Sequence, residues 1–413
     1  MNRLVLIGNG FDIAHGLNTR YSDFINWYWE QRVKSFVGNY TNISADPLCT
    51  FKTKSPHDVW NVFAFNLPRF THKIPGKDVV QSIISDSSRF EVGFTTFFNK
   101  IIKSIESKGW VDIEYEYYLL LKRYAIENPS KNDVINLNKQ LHFFQDKLIE
   151  YLSEINKQEI NIIVKLKEKI LAPINSSDIA VEATSSLKEY VDWCLEQRDE
   201  FWHKKMSNYG ICSDQYFIYL NDVENYRSDS TLFDDYPMLF RLPDNVMLLN
   251  FNYTKIALQY LPKGKQIFSH NYIHGEVENP QSVIFGYGDE LDDDYKVIQN
   301  INDNDCLNNV KSIRYLESCK YRNVLSFIDA APFQVYIMGH SCGNSDRTLL
   351  NTLFEHRNCI SIKPYYYIKD DGTDNYLDLI QNISRNFTDM KLMRDRVVNK
   401  EYCEPLVSNN DKG

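Results

Sequence analysis

At 413 residues the chain is too long for one ordinary core, which implies two or three domains or one domain carrying a large insertion. Its 46 basic and 55 acidic residues leave a net charge of −9, excluding the global positive field that would hold duplex nucleic acid or anionic lipid. With 27 Tyr and 24 Phe, it is not a disordered or low-complexity chain.

The first predicted element is a strand from Leu4 to Ile7, a continuous apolar run that stops at Gly8 as a buried parallel strand does. That run is too short for a signal-peptide core, and no apolar span of ~20 residues follows anywhere, so the expectation is a cytoplasmic protein with no membrane segment. The eight cysteines contain no CxxC pair, which fits free thiols in a reducing compartment and neither a disulfide framework nor a zinc site.

A helix is expected from Phe11 or Asp12, and short helices between about 20 and 95. From about 95 to 235 the pattern is helical. Val134, Leu137, Leu141, Phe144, Leu148, Tyr151 and Ile155 form a three-four seam, with Ser130 as N-cap. The simpler reading is a helix packed within an insertion. A short coiled coil joining two chains, and so a homo-oligomer, stays open.

Strand runs return at 246–253, 265–275, 282–288, 334–341 and 359–368, with an amphipathic helix from Asp346 to His356 between the last two. Strand, turn, helix, strand is the signature of a doubly wound α/β unit. The expected architecture is α/β, a Rossmann-like parallel sheet core with a large helical insertion. Residues 1–95 and 239–413 supply the core, and 96–238 the insertion.

Ligands of open α/β sheets bind beyond the carboxyl ends of the strands. Four runs here end in polar clusters: Gly8-Asn9-Gly10, Asn250 to Thr254, His274-Gly275-Glu276, and Gly339 to Asp346. If the strands are parallel neighbours, the clusters share one rim. The first cluster matches the dinucleotide fingerprint only in part, because Ile13 stands where the third glycine belongs and the next glycine is Gly16. Asp12 is a further misfit, since a carboxylate repels a pyrophosphate at a helix N-terminus. It would cap the helix or hold a ribose hydroxyl.

Asn252 and His274 suit cleavage of a glycosidic bond: an amide orients a water or a ribose hydroxyl, and an imidazole exchanges a proton near neutral pH. The nicotinamide of NAD is already a cationic leaving group, which departs neutral with the bonding electron pair, so no strong general acid is required. The bland alternatives are a capping Asn and a hydrogen-bonded core His. His270 and His274 lack a third metal ligand. Gly339-His340-Ser341-Cys342-Gly343 also fits the G-x-S-x-G of serine hydrolases, although His356 is the only later histidine and is poorly placed to return to Ser341. Asn344 and Asp346 read as helix N-caps beside a phosphate or ribose cradle. Near residue 110, Trp110 to Glu116 alternates apolar and acidic residues. Asp112 and Glu114 there would serve as acid or base, or simply begin a helix.

These motifs together resemble the AbiH family of phage abortive-infection proteins. The stretches are IGNGFDIAHGLNTRYSDF at the start, WVDIE, LNFNYT, YIHGE, FGYG and MGHSCGNSD. The resemblance implies a role in stopping phage growth and leaves the reaction open. A more distant similarity, to sirtuin-like domains of defence NAD hydrolases, implies one. It would make Asn252 and His274 catalytic. Gly8, Asn9, Gly10, Asp12, Gly16, Gly339, Ser341 and Asp346 would contact the nucleotide. No cofactor is implied beyond NAD or a related nucleotide as substrate. Asp12 replaces a usual Ser of that group, Thr254 stands near a usual Asp, and the zinc cysteines are absent. The expectation is an effector that hydrolyses NAD when a phage trigger, or release by a regulatory protein, switches it on. The alternatives are a nucleotide-sensing module without turnover and a serine hydrolase using Ser341.

Overall fold

The computed structural model describes residues 1–38, 43–55, 76–108, 111–210, 238–262, 264–265 and 267–408. Its strands, in chain order, are β1 (Asn2–Ile7), β2 (Ile43–Ala45), β3 (Cys49–Thr53), β4 (Phe90–Phe94), β5 (Asn245–Asn250), β6 (Phe268–Tyr272), β7 (Phe333–Met338) and β8 (Cys359–Tyr365). Two compact units emerge. One comprises Met1–Gly16, Glu159–Ile284 and Ser312–Gly413; the other comprises Leu17–Gln158 and Phe285–Lys311. These divisions fall elsewhere than the 95 and 238 read from the sequence.

The first unit is an α/β layer structure around a five-stranded parallel sheet, ordered β6-β5-β1-β7-β8. Numbered along the chain within this sheet, that order is 3-2-1-4-5, so the winding reverses beside β1. Every residue of β1, β7 and β8 is buried, as strands covered on both faces must be. On one face Leu4, Leu6, Leu249, Val335, Ile337 and Ile362 form a core with the helices Lys320–Ala330, Arg347–Phe354 and Tyr376–Arg385. Because side chains alternate along a strand, Arg3, Gln334, Ser361 and Lys363 fall on the other face. There Gln334 bonds to Arg3 at 3.0 Å and to Ser361 at 3.0 Å, and Asp178, from the segment after residue 159, pairs with Lys363 at 3.0 Å. The helical stretch after residue 159 therefore belongs to this unit: it supplies the partners of a buried polar face.

The second unit holds the long helix Lys131–Ile155, started by Ser130, whose side chain accepts the Asp133 N–H. Its predicted seam is buried from Val134 to Ile155. Phe144 and Tyr151 of the seam pack on Phe24 of helix Tyr21–Gly38, and Tyr151 also on Trp27, so the seam is used within the chain. A three-stranded antiparallel sheet, β2-β3-β4, lies where the sequence reading expects only short helices. The run 282–288 is another correction: it is buried from Val283 onward but forms no strand, and Tyr287 makes only an isolated bridge to Val310. No helix among the described residues is long and apolar enough to cross a membrane.

Candidate functional site

Because the five strands are parallel, the chain leaves β1, β5, β6 and β7 at the same edge, and the four polar clusters come together there. Asn250 ends β5 beside Ile7 of β1 and Tyr272 of β6. The bend that follows is tied down by its own side chains. Asn250 Oδ1 accepts the Asn252 N–H at 3.0 Å, and Asn250 Nδ2 donates to the Thr254 carbonyl at 3.2 Å. Asn252 Nδ2 then donates to the Gly8 carbonyl and to Asp12 Oδ1, both at 2.9 Å. Thr254 Oγ1 donates to Asp12 Oδ2 at 2.6 Å. Asp12 is therefore no helix cap. Gly8 occupies the cap position of helix Asn9–Ala14 without a side-chain bond, and the Asp12 carboxylate faces Asn252 and Thr254.

The second cluster centres on Asp346, which stands at the N-cap position of helix Arg347–Phe354 but makes no side-chain capping bond. Its Oδ1 lies 3.1 Å from His274 Nε2 and its Oδ2 lies 3.5 Å from His340 Nε2. His340 Nδ1 accepts the Cys342 N–H at 3.0 Å, which assigns the ring proton to Nε2, toward the carboxylate. The Tyr315 hydroxyl is 3.2 Å from His274 Nε2. Phe251 packs edge-on to His274 at 5.2 Å and 4.1 Å from the His340 ring, joining the Asn252 bend to the histidines. The result is two imidazoles held by one carboxylate in an apolar wall, an arrangement that stabilises a histidine carrying a transferred proton. Tyr315 lies in a short 3-10 turn with no motif around it, and nothing in the sequence marks it.

A family model described as Bacteriophage abortive infection AbiH matches residues 4–367. The chain belongs to the AbiH family. No curated protein and no solved structure matches it. The AbiH match takes in every rim residue from Gly8 to Asp346.

In this AbiH chain the glycines of the rim have packing reasons. Gly339 has φ +76°, and a Cβ there would lie 2.1 Å from the Phe11 nitrogen; a Cβ on Gly8 would lie 2.4 Å from His340 Cα. The β1 turn and the β7 turn are thus pressed backbone to backbone. The N–H groups of Gly8, Gly10 and Phe11 are spent on Met338, Gly339 and Gly8 carbonyls. Gly16, at φ +79°, ends helix Asn9–Ala14 and does not complete a fingerprint. Asn9 is exposed at the start of that helix.

Ser341 is exposed, and its carbonyl accepts from Asn382 Nδ2. Its hydroxyl bonds to no described histidine: His340 is turned to Asp346, and His356 lies 3.3 Å from Asp329. The positive φ of this turn falls on Gly339 and Cys342, not on the serine, as a nucleophile elbow would need. Cys342 is fully buried, and burial pushes its thiol well above the usual range.

Asp112 and Glu114 belong to the second unit and begin a helix. Asp112 is the N-cap of Ile113–Lys122, accepting the Tyr115 N–H at 2.9 Å. Glu114 is buried, 2.8 Å from Lys311 Nζ, and accepts the Gly286 N–H at 2.9 Å. Trp110 lies outside the described residues. Among the described residues, no group of three His, Cys, Asp or Glu side chains could hold a metal ion.

Burial pushes the Asp12 carboxyl up to about 7 from its ordinary 3.8, against the bonds from Thr254 and Asn252 that favour ionisation. The folded chain then keeps this proton where the unfolded chain has lost it. Between pH 3.8 and about 7 the native state binds more protons, so the contribution of Asp12 to stability falls as pH rises through that window. Asp12→Asn is expected to flatten this part of the curve of thermal stability against pH. An unchanged slope would contradict it.

Proposed function

We propose that this AbiH protein acts in abortive infection by binding NAD or a related nucleotide at the carboxyl rim and hydrolysing its nicotinamide–ribose bond when infection is sensed. The observation that carries the reading is that the Asn252 bend and the His274–Asp346 pair, joined through Phe251, stand on the rim of a sheet ordered 3-2-1-4-5, the order of the first five strands of Rossmann dinucleotide-binding sheets.

In this reaction the bond from ribose C1′ to the nicotinamide nitrogen breaks, its electron pair leaves with nicotinamide, and water adds at C1′ with loss of a proton. Asn252 would orient the attacking water or a ribose hydroxyl through its carbonyl oxygen. His274 would take the proton, and Asp346 would fix the ring and stabilise the imidazolium. Tyr315, beside the same nitrogen, would restrict the ring further.

Purified protein, alone and with lysate from phage-infected cells, is to be incubated with NAD. Nicotinamide release is expected for the wild type under the condition that triggers toxicity, and at least 10²-fold less for Asn252→Ala, whose catalytic contact is lost. Toxicity without nicotinamide release would remove the NADase reading and leave a nucleotide-binding module.

A further inference from the structure

The amide of Asn252 has no rotational choice. Both hydrogens of Nδ2 are committed, one to the Gly8 carbonyl and one to Asp12 Oδ1. Turning the amide over would set its oxygen against the Gly8 carbonyl oxygen, acceptor against acceptor whatever the protonation of Asp12, and against the Asp12 carboxylate as well once that group is ionised. Asp12 is itself held, by Thr254 Oγ1 on its second oxygen, and Thr254 is held by Asn250 through its carbonyl. The carboxylate is 2 % exposed and Thr254 is equally buried. What remains of the Asn252 side chain is its Oδ1, which accepts no bond from any described residue.

We infer that Asp12 and Thr254 are a positioning pair that fixes Asn252 as an acceptor, so that the rim selects a ligand presenting a hydroxyl donor, such as a ribose hydroxyl, and not a carbonyl. This deepens the reading of the rim as a nucleotide site and rests on it. Asp12 and Thr254 touch no reacting atom; they act through Asn252. It also accounts for a carboxylate at a helix start where a pyrophosphate would be repelled: Asp12 addresses the asparagine, and the ligand meets only the asparagine's oxygen.

A carboxylate and a hydroxyl that bond to each other can exchange places, and a merely space-filling pair gains nothing from the exchange. The test compares Asp12→Thr, Thr254→Asp and the double exchange Asp12→Thr/Thr254→Asp. Three readouts apply: phage plaque formation on cells carrying each variant, nicotinamide release from NAD, and crystal structures of the single variants.

Each single change is expected to lower protection and release by about 10²-fold through misplacement of Asn252, with the amide seen to leave the Gly8 carbonyl. The double exchange is expected to recover at least tenfold over the weaker single variant. Folded single variants with wild-type protection would overturn the proposal. So would a folded double variant no better than either single, or crystal structures in which the Asn252 amide keeps its place in both singles. If protection is lost and recovered as expected while no variant, wild type included, releases nicotinamide, the NAD reading fails and the positioning pair stands.

Discussion

Alanine at His274 is expected to reduce nicotinamide release by roughly 10²–10⁴-fold, the usual contribution of a placed acid or base. The loss should appear in kcat with little change in KM, because the proton moves only as the transition state is approached. The imidazole is buried between Asp346, Tyr315 and Phe251, so its removal also strips the carboxylate of its nearer partner at 3.1 Å. A His274→Gln variant keeps a donor near that carboxylate and separates the two effects: it should fold as well as the wild type and remain inactive. Full activity in a folded His274→Gln would remove the proton-transfer role.

The largest loss of stability is expected away from the rim, at Asp178. Its side chain is fully buried, takes both of its oxygens to Lys363 Nζ at 3.0 Å, and receives Gln334 Nε2 at 3.4 Å. Asp178→Ala leaves the Lys363 ammonium in the interior without its counter-charge, a change worth about 3–5 kcal/mol. Removing both charges together, as Asp178→Leu/Lys363→Met, should recover most of that, since breaking a buried pair costs more than replacing it. Guanidinium unfolding of the three proteins measures the difference. A single variant within about 1 kcal/mol of the wild type would show that Lys363 finds water or another partner.

Much of the sheet was legible in the sequence because strands buried on both faces are written as unbroken apolar runs. β1 from Leu4 to Ile7 and β5 from Val246 to Leu249 carry that signature, and β7 and β8 carry it interrupted by Gln334, Ser361 and Lys363. The run 282–288 carries it too and is no strand: its amides go instead to the His274 carbonyl, the Glu114 carboxylate and the Asn309 carbonyl. Apolar runs report burial, not the partner that satisfies the backbone. β3 shows the opposite failure. Cys49, Phe51 and Thr53 turn inward and Lys52 outward, but five residues containing two threonines and a lysine are too short and too polar to stand out.

At the rim, the convergence of the four clusters followed from reading the strands as parallel neighbours. The bonds inside it did not. Asp12 and Thr254 lie 242 residues apart, and each alone looked like a departure from the nucleotide-site pattern. Bonded to each other, they form one unit. Asp346 stood where a cap belongs, and only the structure turns it to the histidines. Asp112 and Glu114 had two readings, and their bonds to Tyr115, Gly286 and Lys311 favour the structural one.

The position of β1 in the middle of its sheet has a consequence for synthesis. Asn2 faces Asn245 across one edge, 243 residues later, and Arg3 meets Gln334 across the other, 331 residues later. At roughly 5–20 residues per second, β1 waits about a quarter of a minute to a minute for its second neighbour. Until β7 exists there is no Gly339 turn against Gly8, and until the turn after it exists no Asp346 to hold His274. A nascent or prematurely ended chain therefore carries no assembled rim, and whatever the rim binds can be bound only once the chain has been made through Asp346.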